Sequence, residues 1–241
     1  MKTKDYLSLG EVSAYLGWST RFVEGLVRGE KLPGLNINGE WRFRREEIID
    51  WLDQKIQTLD APRISELERQ LEADLVSDGV FIAQKPHRLS SQLSLESIGL
   101  DQSHSSKRAV LERLVELANY SGRLLDKDHL FASLLERESL HSTALPNGIA
   151  ICHPRRPLPS AISDYVIAIH RAATPVPFGS EDGESTHLFF LLCAPDDRTH
   201  LHGLARLARI LDPATIEALK SRETFYPEQV IEIIKEREAT L

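Results

Sequence analysis

The 241-residue chain is short of several features that mark whole classes of protein. It has no run of about 18 apolar residues, so no transmembrane helix is expected. Its first residues, Met-Lys-Thr-Lys-Asp-Tyr, hold no apolar signal core, which sets the expectation of a cytoplasmic protein. Cysteine is limited to Cys152 and Cys193, both in apolar, strand-like surroundings. Two reduced, buried thiols are expected there, not a disulfide framework. Positive charge is not in excess: 29 Lys and Arg face 36 Asp and Glu, a net charge of −7. That balance excludes a chain that binds nucleic acid over its whole surface, but not a small DNA-reading module whose field is local. Internal repeats and low-complexity segments are absent as well. What is present, 41% hydrophobic and 27% charged residues, is ordinary globular composition with room for one or two domains.

Residues 6–53 read as one small unit. Leu9–Leu16 predicts a first helix, with Val12 and Leu16 on one face and Gly17 as its turn. Ser19 or Thr20 caps a second helix, Arg21–Arg28, with Phe22, Val23, Leu26 and Val27 as its apolar face and Gly29 at its end. Leu35–Phe43 alternates around Asn38-Gly39, a strong hairpin signal. Arg44–Lys55 predicts a third helix that buries Ile48, Ile49, Leu52 and the following Ile56. Residues 57–88 read as a helical linker with a weak apolar stripe at Ile64, Leu67 and Leu71. Two readings of that stripe stand open: a seam for a homodimer, or a helix laid on one of the chain's own domains.

From residue 89 onward, strand and helix signals alternate, which argues for a layered α/β domain. Helices are expected from Ser105 or Ser106 to about Asn119, from Asp126 or Asp128 through Leu135, and over Asp197–Leu211, Ala214–Lys220 and Pro227–Glu238. Strands are expected near Ile149–Ile151, Tyr165–His170 and His187–Cys193. The fold class expected is therefore a small winged helix-turn-helix domain (1–56), the linker (57–88), and an α/β sandwich (89–241) with a mixed sheet and helices on both faces.

Gly148-Ile-Ala-Ile-Cys-His153 is the most telling stretch: a buried strand that stops and presents an imidazole, with Pro154 behind it. Imidazole is the side chain that can be a neutral nucleophile near pH 7. This stretch resembles the active-site segment of phosphotransferase-system IIA domains of the fructose/mannitol/nitrogen-regulatory type. Leu134-Leu-Glu-Arg-Glu138, Ser142-Thr-Ala144, Leu191-Leu-Cys-Ala-Pro195 and His200-Leu-His-Gly-Leu-Ala-Arg-Leu-Ala208 follow that family in order and spacing. The resemblance spans roughly 150 residues. It implies that His153 accepts a phosphoryl group, that His200 is the second active-site histidine, and that Arg137 supplies charge to phosphoryl oxygens. Ser142 and Thr143 either add hydroxyl contacts or act as caps. Two positions depart from the pattern: Cys152 stands where the family usually has proline, and Pro154-Arg155-Arg156 comes after the histidine in place of a small residue. Pro154 holds His153 to extended backbone.

The segment around Trp41-Arg-Phe-Arg-Arg-Glu-Glu-Ile-Ile-Asp-Trp-Leu52 resembles excisionase-type or MerR-like helix-turn-helix domains. DNA contacts would then fall on Thr20, Arg21, Glu24 and Arg28 of the second helix and on Arg42 and Arg44 of the wing. Residues 1–60 hold nine Lys and Arg against ten Asp and Glu, so the module has no strong field of its own; a protein-contact role for this fold is the rival.

Together these readings predict a IIA-like signalling protein that takes a phosphoryl group from a histidine-phosphorylated carrier of the HPr type and regulates through DNA. The rivals are a phosphotransferase component relaying phosphoryl to a IIB domain, and a non-phosphorylatable IIA-like interaction protein. No cofactor, metal or membrane insertion is expected; Cys152, His153, His200 and His202 form a weaker zinc alternative.

Overall fold

The computed structural model describes residues 6–79, 88–221, 223 and 226–241. The chain divides into two compact units: Met1–Pro86 with Leu201–Arg209, and His87–His200 with Ile210–Leu241. Among the described residues no helix is long and apolar enough to cross a membrane.

In the first unit, β1 (Tyr6–Ser8) leads directly into α1 (Leu9–Leu16), and α2 (Thr20–Arg28) comes next. Ser8 and Glu11 form a reciprocal capping box on α1. Ser19 caps α2, accepting a hydrogen bond from the Phe22 amide. The hairpin β2 (Leu35–Ile37) and β3 (Glu40–Arg44) turns at Asn38-Gly39, both at positive φ. The sheet order is β1-β3-β2, all antiparallel. β1 is not legible in the sequence because a three-residue strand carries too little alternation to register. α3 (Arg45–Lys55) completes the winged helix-turn-helix.

The linker stripe lies on α4 (Ala61–Ser77), capped by Asp60. Ile64, Leu67, Leu71 and Leu75 are buried within the chain, and Trp18 Nε1 donates to the Arg63 carbonyl at 3.3 Å. The stripe therefore packs on the chain's own domain and offers no open seam to a second copy. Gly17 makes the approach of α4 feasible: its φ is +70°, and a Cβ there would meet Gln70 Cβ at 3.0 Å and the Glu66 carbonyl at 3.1 Å. Residues 201–209 of α7 (Asp197–Ile210) also belong to this unit. There Arg206 and Arg209 ion-pair with Glu68 of α4.

The second unit is built on a five-stranded mixed sheet, order β4-β7-β8-β6-β5. Its strands are β4 (Ile98–Gln102), β5 (Ala144–Leu145), β6 (Ile149–Cys152), β7 (Val166–Val176) and β8 (Thr186–Cys193). β6 runs parallel to β8, with Cys152 opposite Leu191, while β7 runs antiparallel to β8. One face packs α5 (Lys107–Asn119) and α6 (Lys127–Leu140) against Ala150, Cys152, Phe189, Leu191 and Cys193. α8 (Pro213–Lys220) lies against β8, and α9 (Pro227–Glu238) against β4. α9 is tied down by Glu238, whose carboxylate accepts from Leu89 N at 2.6 Å and Ser90 Oγ at 2.6 Å.

His170 sits mid-strand in β7, fully buried, with Nδ1 donating to the Gly99 carbonyl at 3.1 Å and its ring 4.7 Å from that of His104. Burial first, then His104 and Arg113, hold its pKa down to about 4, with Asp101 and the Gly99 carbonyl opposing. A base whose folded pKa is lowered binds fewer protons than the unfolded chain between that value and its ordinary one, so stability falls as pH drops through this window. Unfolding free energy of the second unit should decline from about pH 6.5 to about pH 4, His170 contributing on the order of 3 kcal/mol. Urea titrations of wild type and His170→Gln across that range measure it; equal slopes in the two proteins would remove His170 as the cause.

Candidate functional site

Parallel pairing of β6 with β8 brings both strands to an end on the same edge of the sheet. His153 comes immediately after β6, and α7 begins shortly after β8. The Asp196 carboxylate accepts from Thr199 N at 2.9 Å and Thr199 Oγ1 at 2.8 Å, which fixes the first turn of α7 and places His200 in it. The two imidazoles meet there with ring centroids 5.1 Å apart and planes tilted by 49°. Both are buried, His153 at 4% and His200 at 6% exposure.

His153 Nδ1 lies 3.2 Å from the carbonyl oxygen of Pro154. A carbonyl only accepts, so the neutral ring carries its proton on Nδ1 and keeps the lone pair on Nε2. Pro154 thus restrains the backbone of His153 and supplies the oxygen that selects the tautomer.

Beside β6, the end of α6 and the loop after it form a polar hub. Glu138, 8% exposed, accepts from Thr143 N at 2.9 Å, from Thr143 Oγ1, and from Lys107 Nζ at 2.8 Å. Thr143 Oγ1 lies 3.7 Å from Cys152 Sγ. Arg137 is buried and donates from Nη1 to the His141 carbonyl at 2.7 Å. Its charge acts on the Cys152 thiol, so it lies within electrostatic range of the residue that precedes His153. The Glu138–Lys107 pair joins residues 31 apart in sequence and carries no local signal; only packing of α5 beside α6 brings them together. The capping pattern Asp196-x-x-Thr199 is the local signal that marks the start of α7.

Among the residues expected to touch DNA, Thr20, Arg21 and Arg28 are exposed on α2, with Glu24 partly covered. Arg28 pairs with Glu24 at 2.6 Å and Arg42 with Glu40 at 2.5 Å. Arg44 donates from Nε to the Tyr6 hydroxyl at 3.1 Å. Arg42 and Arg44 project from one face of β3, opposite the face that buries Phe43.

A mixed sheet that ends in two facing buried histidines, preceded by a winged helix-turn-helix, defines a histidine-bearing α/β domain joined to a small helix-turn-helix module. Residues 91–237 match the family model described as "Phosphoenolpyruvate-dependent sugar phosphotransferase system, EIIA 2", and residues 6–56 match "Helix-turn-helix domain". The chain belongs to the EIIA 2 family of that phosphotransferase system. It is 33% identical over 155 residues to the nitrogen regulatory protein of Escherichia coli (strain K12), covering 64% of this chain and 93% of that one. Against the fructose-specific EIIABC component of Bacillus subtilis it is 30% identical over 126 residues, spanning 52% of this chain and only 19% of that much longer protein. The crystal structure of nitrogen regulatory protein IIA-Ntr from Neisseria meningitidis superimposes with a TM-score of 0.54 at 30% identity, covering 61% of this chain and 98% of that one. Mannitol IIA from Escherichia coli shares the fold, with a TM-score of 0.51 at 21% identity, 59% of this chain and 98% of that one being covered.

Both cysteines are free and fully buried, and burial raises both thiol pKa values, with the Glu138 charge adding to the rise at Cys152. Native protein at about pH 8 should therefore leave both thiols unreacted with a disulfide-exchange reagent, whereas unfolded protein should release two equivalents. Fast labelling of Cys152 in the folded state would contradict its closed surroundings.

Proposed function

We propose that this protein is a cytoplasmic regulator that accepts a phosphoryl group on His153 from a histidine-phosphorylated carrier of the HPr type, and that it reads out its phosphorylation state through DNA. The observation that carries the reading is the His153–His200 pair, both rings buried just past the strand end with centroids 5.1 Å apart; the Nδ1 contact to the Pro154 carbonyl puts the neutral ring's lone pair on Nε2. In the transfer, Nε2 of His153 forms a bond to phosphorus while the donor's phosphorus–nitrogen bond breaks and its electron pair returns to the donor ring. The transferring group spreads its negative charge over three oxygens, so positioning and charge do most of the work. His200 in the first turn of α7 lies at the positive end of a 14-residue helix, and Arg137 adds a fixed cation beside β6. No step needs a metal when another protein's phosphohistidine is the donor.

The helix-turn-helix unit is the DNA-binding arm of the proposal. Thr20, Arg21 and Arg28 on α2 would face the groove, and Arg42 and Arg44 on the wing would take phosphates. Arg28 and Arg42 are held by Glu24 and Glu40 in solvent-accessible pairs, and such pairs are worth at most about 1 kcal/mol, so a DNA phosphate displaces these two carboxylates at little cost. A relay to a IIB domain is the second reading, favoured by the fold shared with the protein in the "Complex of enzyme IIAMTL and phosphorylated enzyme IIBMTL" from Escherichia coli.

Incubation with phosphorylated carrier should add about 80 Da to the intact mass, the increment of one phosphoryl group. His153→Ala should lose that increment while keeping its circular dichroism spectrum; undiminished labelling of this variant would move the acceptor elsewhere.

Duplex DNA from upstream of the chain's own gene should bind in a salt-dependent way. Arg21→Ala and Arg42→Ala should each weaken binding several-fold, and each should lower the slope of log affinity against log salt by about 1. Absence of any binding at low salt, by the full chain and by residues 1–56 alike, would favour a protein partner for this unit.

A further inference from the structure

Gly25 lies in the middle of α2, within the first unit, and is exposed. Glycine is the poorest helix former after proline, and an interior glycine normally has a conformational or packing reason. Gly25 has neither. Its φ is not left-handed, and a Cβ added to it would meet nothing within 4 Å. Gly29, at the C-cap of the same helix, differs: its Cβ would come to 3.3 Å from the Gly25 carbonyl oxygen. Folding of the unit thus gives no account of the missing side chain at position 25. The use left for it is close approach of something else to the helix backbone.

At roughly 100° per residue, the buried Val23 and Val27 lie about 160° to either side of Gly25, so Gly25 points away from the core of the unit. Arg21 and Arg28 flank it at about 40° and 60° on one side, and Gly29 and Phe22 at about 40° and 60° on the other, with Leu26 at about 100°. No acidic residue of α2 falls in the sector between Arg28 and Phe22; Glu24 lies about 100° away and pairs with Arg28 at 2.6 Å. Phe22 is held in place from both directions. The Trp18 ring meets it edge-on at 5.6 Å, and the Arg63 guanidinium lies over its face at 4.0 Å. The result is an open groove of about 520 Å³, lined by Gly25 and Gly29, by the apolar Phe22 and Leu26, and by the cations Arg21 and Lys31.

We infer that Gly25 is a specificity-determining position of the helix-turn-helix unit: it lets the backbone of α2 approach the base edges of a DNA major groove closely enough for Phe22 and Leu26 to cover the 5-methyl group of a thymine. The inference rests on the DNA-binding reading above. An apolar wall with cations beside it fits a polyanion that carries an apolar projection. Among the major-groove edges of the four bases, only thymine presents a methyl group. Arg21 and Lys31 then have phosphates within the same surface to neutralise. A side chain at position 25 would stand between the helix and the base edges and hold both apolar residues off the methyl.

The test uses the full chain and a duplex that it enriches from a random pool at fixed salt. Exchange of single thymines for uracil removes the methyl group and keeps the base pair. At one thymine per bound unit the exchange should cost about fourfold in affinity, as expected for one buried methyl group, and elsewhere the change should stay within about twofold. Gly25→Ala places its Cβ in open space and should melt no lower than wild type. It should bind the enriched duplex about fivefold more weakly and lose the sensitivity to uracil, while its salt-dependent binding to an unrelated duplex stays at the wild-type level. Gly25→Leu should weaken the enriched duplex further. Wild type that tolerates uracil at every position overturns the inference, as does Gly25→Ala with wild-type affinity and wild-type sensitivity to uracil; in both cases DNA binding stands. Absence of DNA binding by wild type at low salt overturns the DNA-binding reading itself, and this inference with it.

Discussion

Parallel pairing of β6 with β8 is the constraint on which the rest depends. β8 is an apolar run, with Leu188, Phe189, Phe190, Leu191 and Leu192 all nearly or fully buried. Each such side chain is worth about 1.5–3 kcal/mol when taken out of water. A slip of one residue would exchange the sets that face the helices on either side, so the register with β6 is held by both layers at once. With Cys152 opposite Leu191, the two strands finish together, and the segments leaving them emerge side by side. His153 lies on one of these segments, and the other runs into the first turn of α7 with His200. Open α/β sheets place their sites at such strand ends because the chain leaves the sheet there and backbone polar groups become available.

The buried histidines of the second unit show how place decides chemistry. His170 is fully buried in the body of β7, its Nδ1 committed to Gly99 and its protonation opposed by burial. Nothing reaches it without opening the sheet. His153 is equally covered in area, but it stands past the end of its strand, beside a helix N-terminus and a second imidazole. The polar hub of Glu138, Thr143 and Lys107 then holds the loop after α6 against β6. That arrangement gives Cys152 a function the usual proline cannot have: its thiol faces the Thr143 hydroxyl and closes the hub from the strand side.

Much of the fold was legible in the sequence, and the misses have definite causes. The α2 cap at Ser19, the Asn38-Gly39 hairpin, and the boundaries of α5, α8 and α9 were plain, since caps, turns and 3.6-residue periodicity act within a few residues. β5 has only two residues and shows no alternation of its own; its one local signal is Asn147-Gly148, both at positive φ, the same hairpin pair as Asn38-Gly39. β4 escaped because Ile98-Gly-Leu100 shows too short a pattern, and its strand identity comes from pairing with β7. The linker stripe at Ile64, Leu67 and Leu71 gave a helix and left open what it packs on; Gly17 and Trp18 decide that it packs on α1.

By itself, the sequence determined the order of helices and strands, the winged helix-turn-helix unit, and the histidine at a strand end, because each is written in contiguous residues. Tertiary structure alone decided which side chains meet: His153 with His200, 47 positions apart, Glu138 with Lys107, and Glu68 with Arg206 and Arg209. Local patterns specify the path of the backbone over a turn or two, whereas these meetings depend on strand order and register. Those are settled only when the whole sheet and its covering helices bury their apolar faces together.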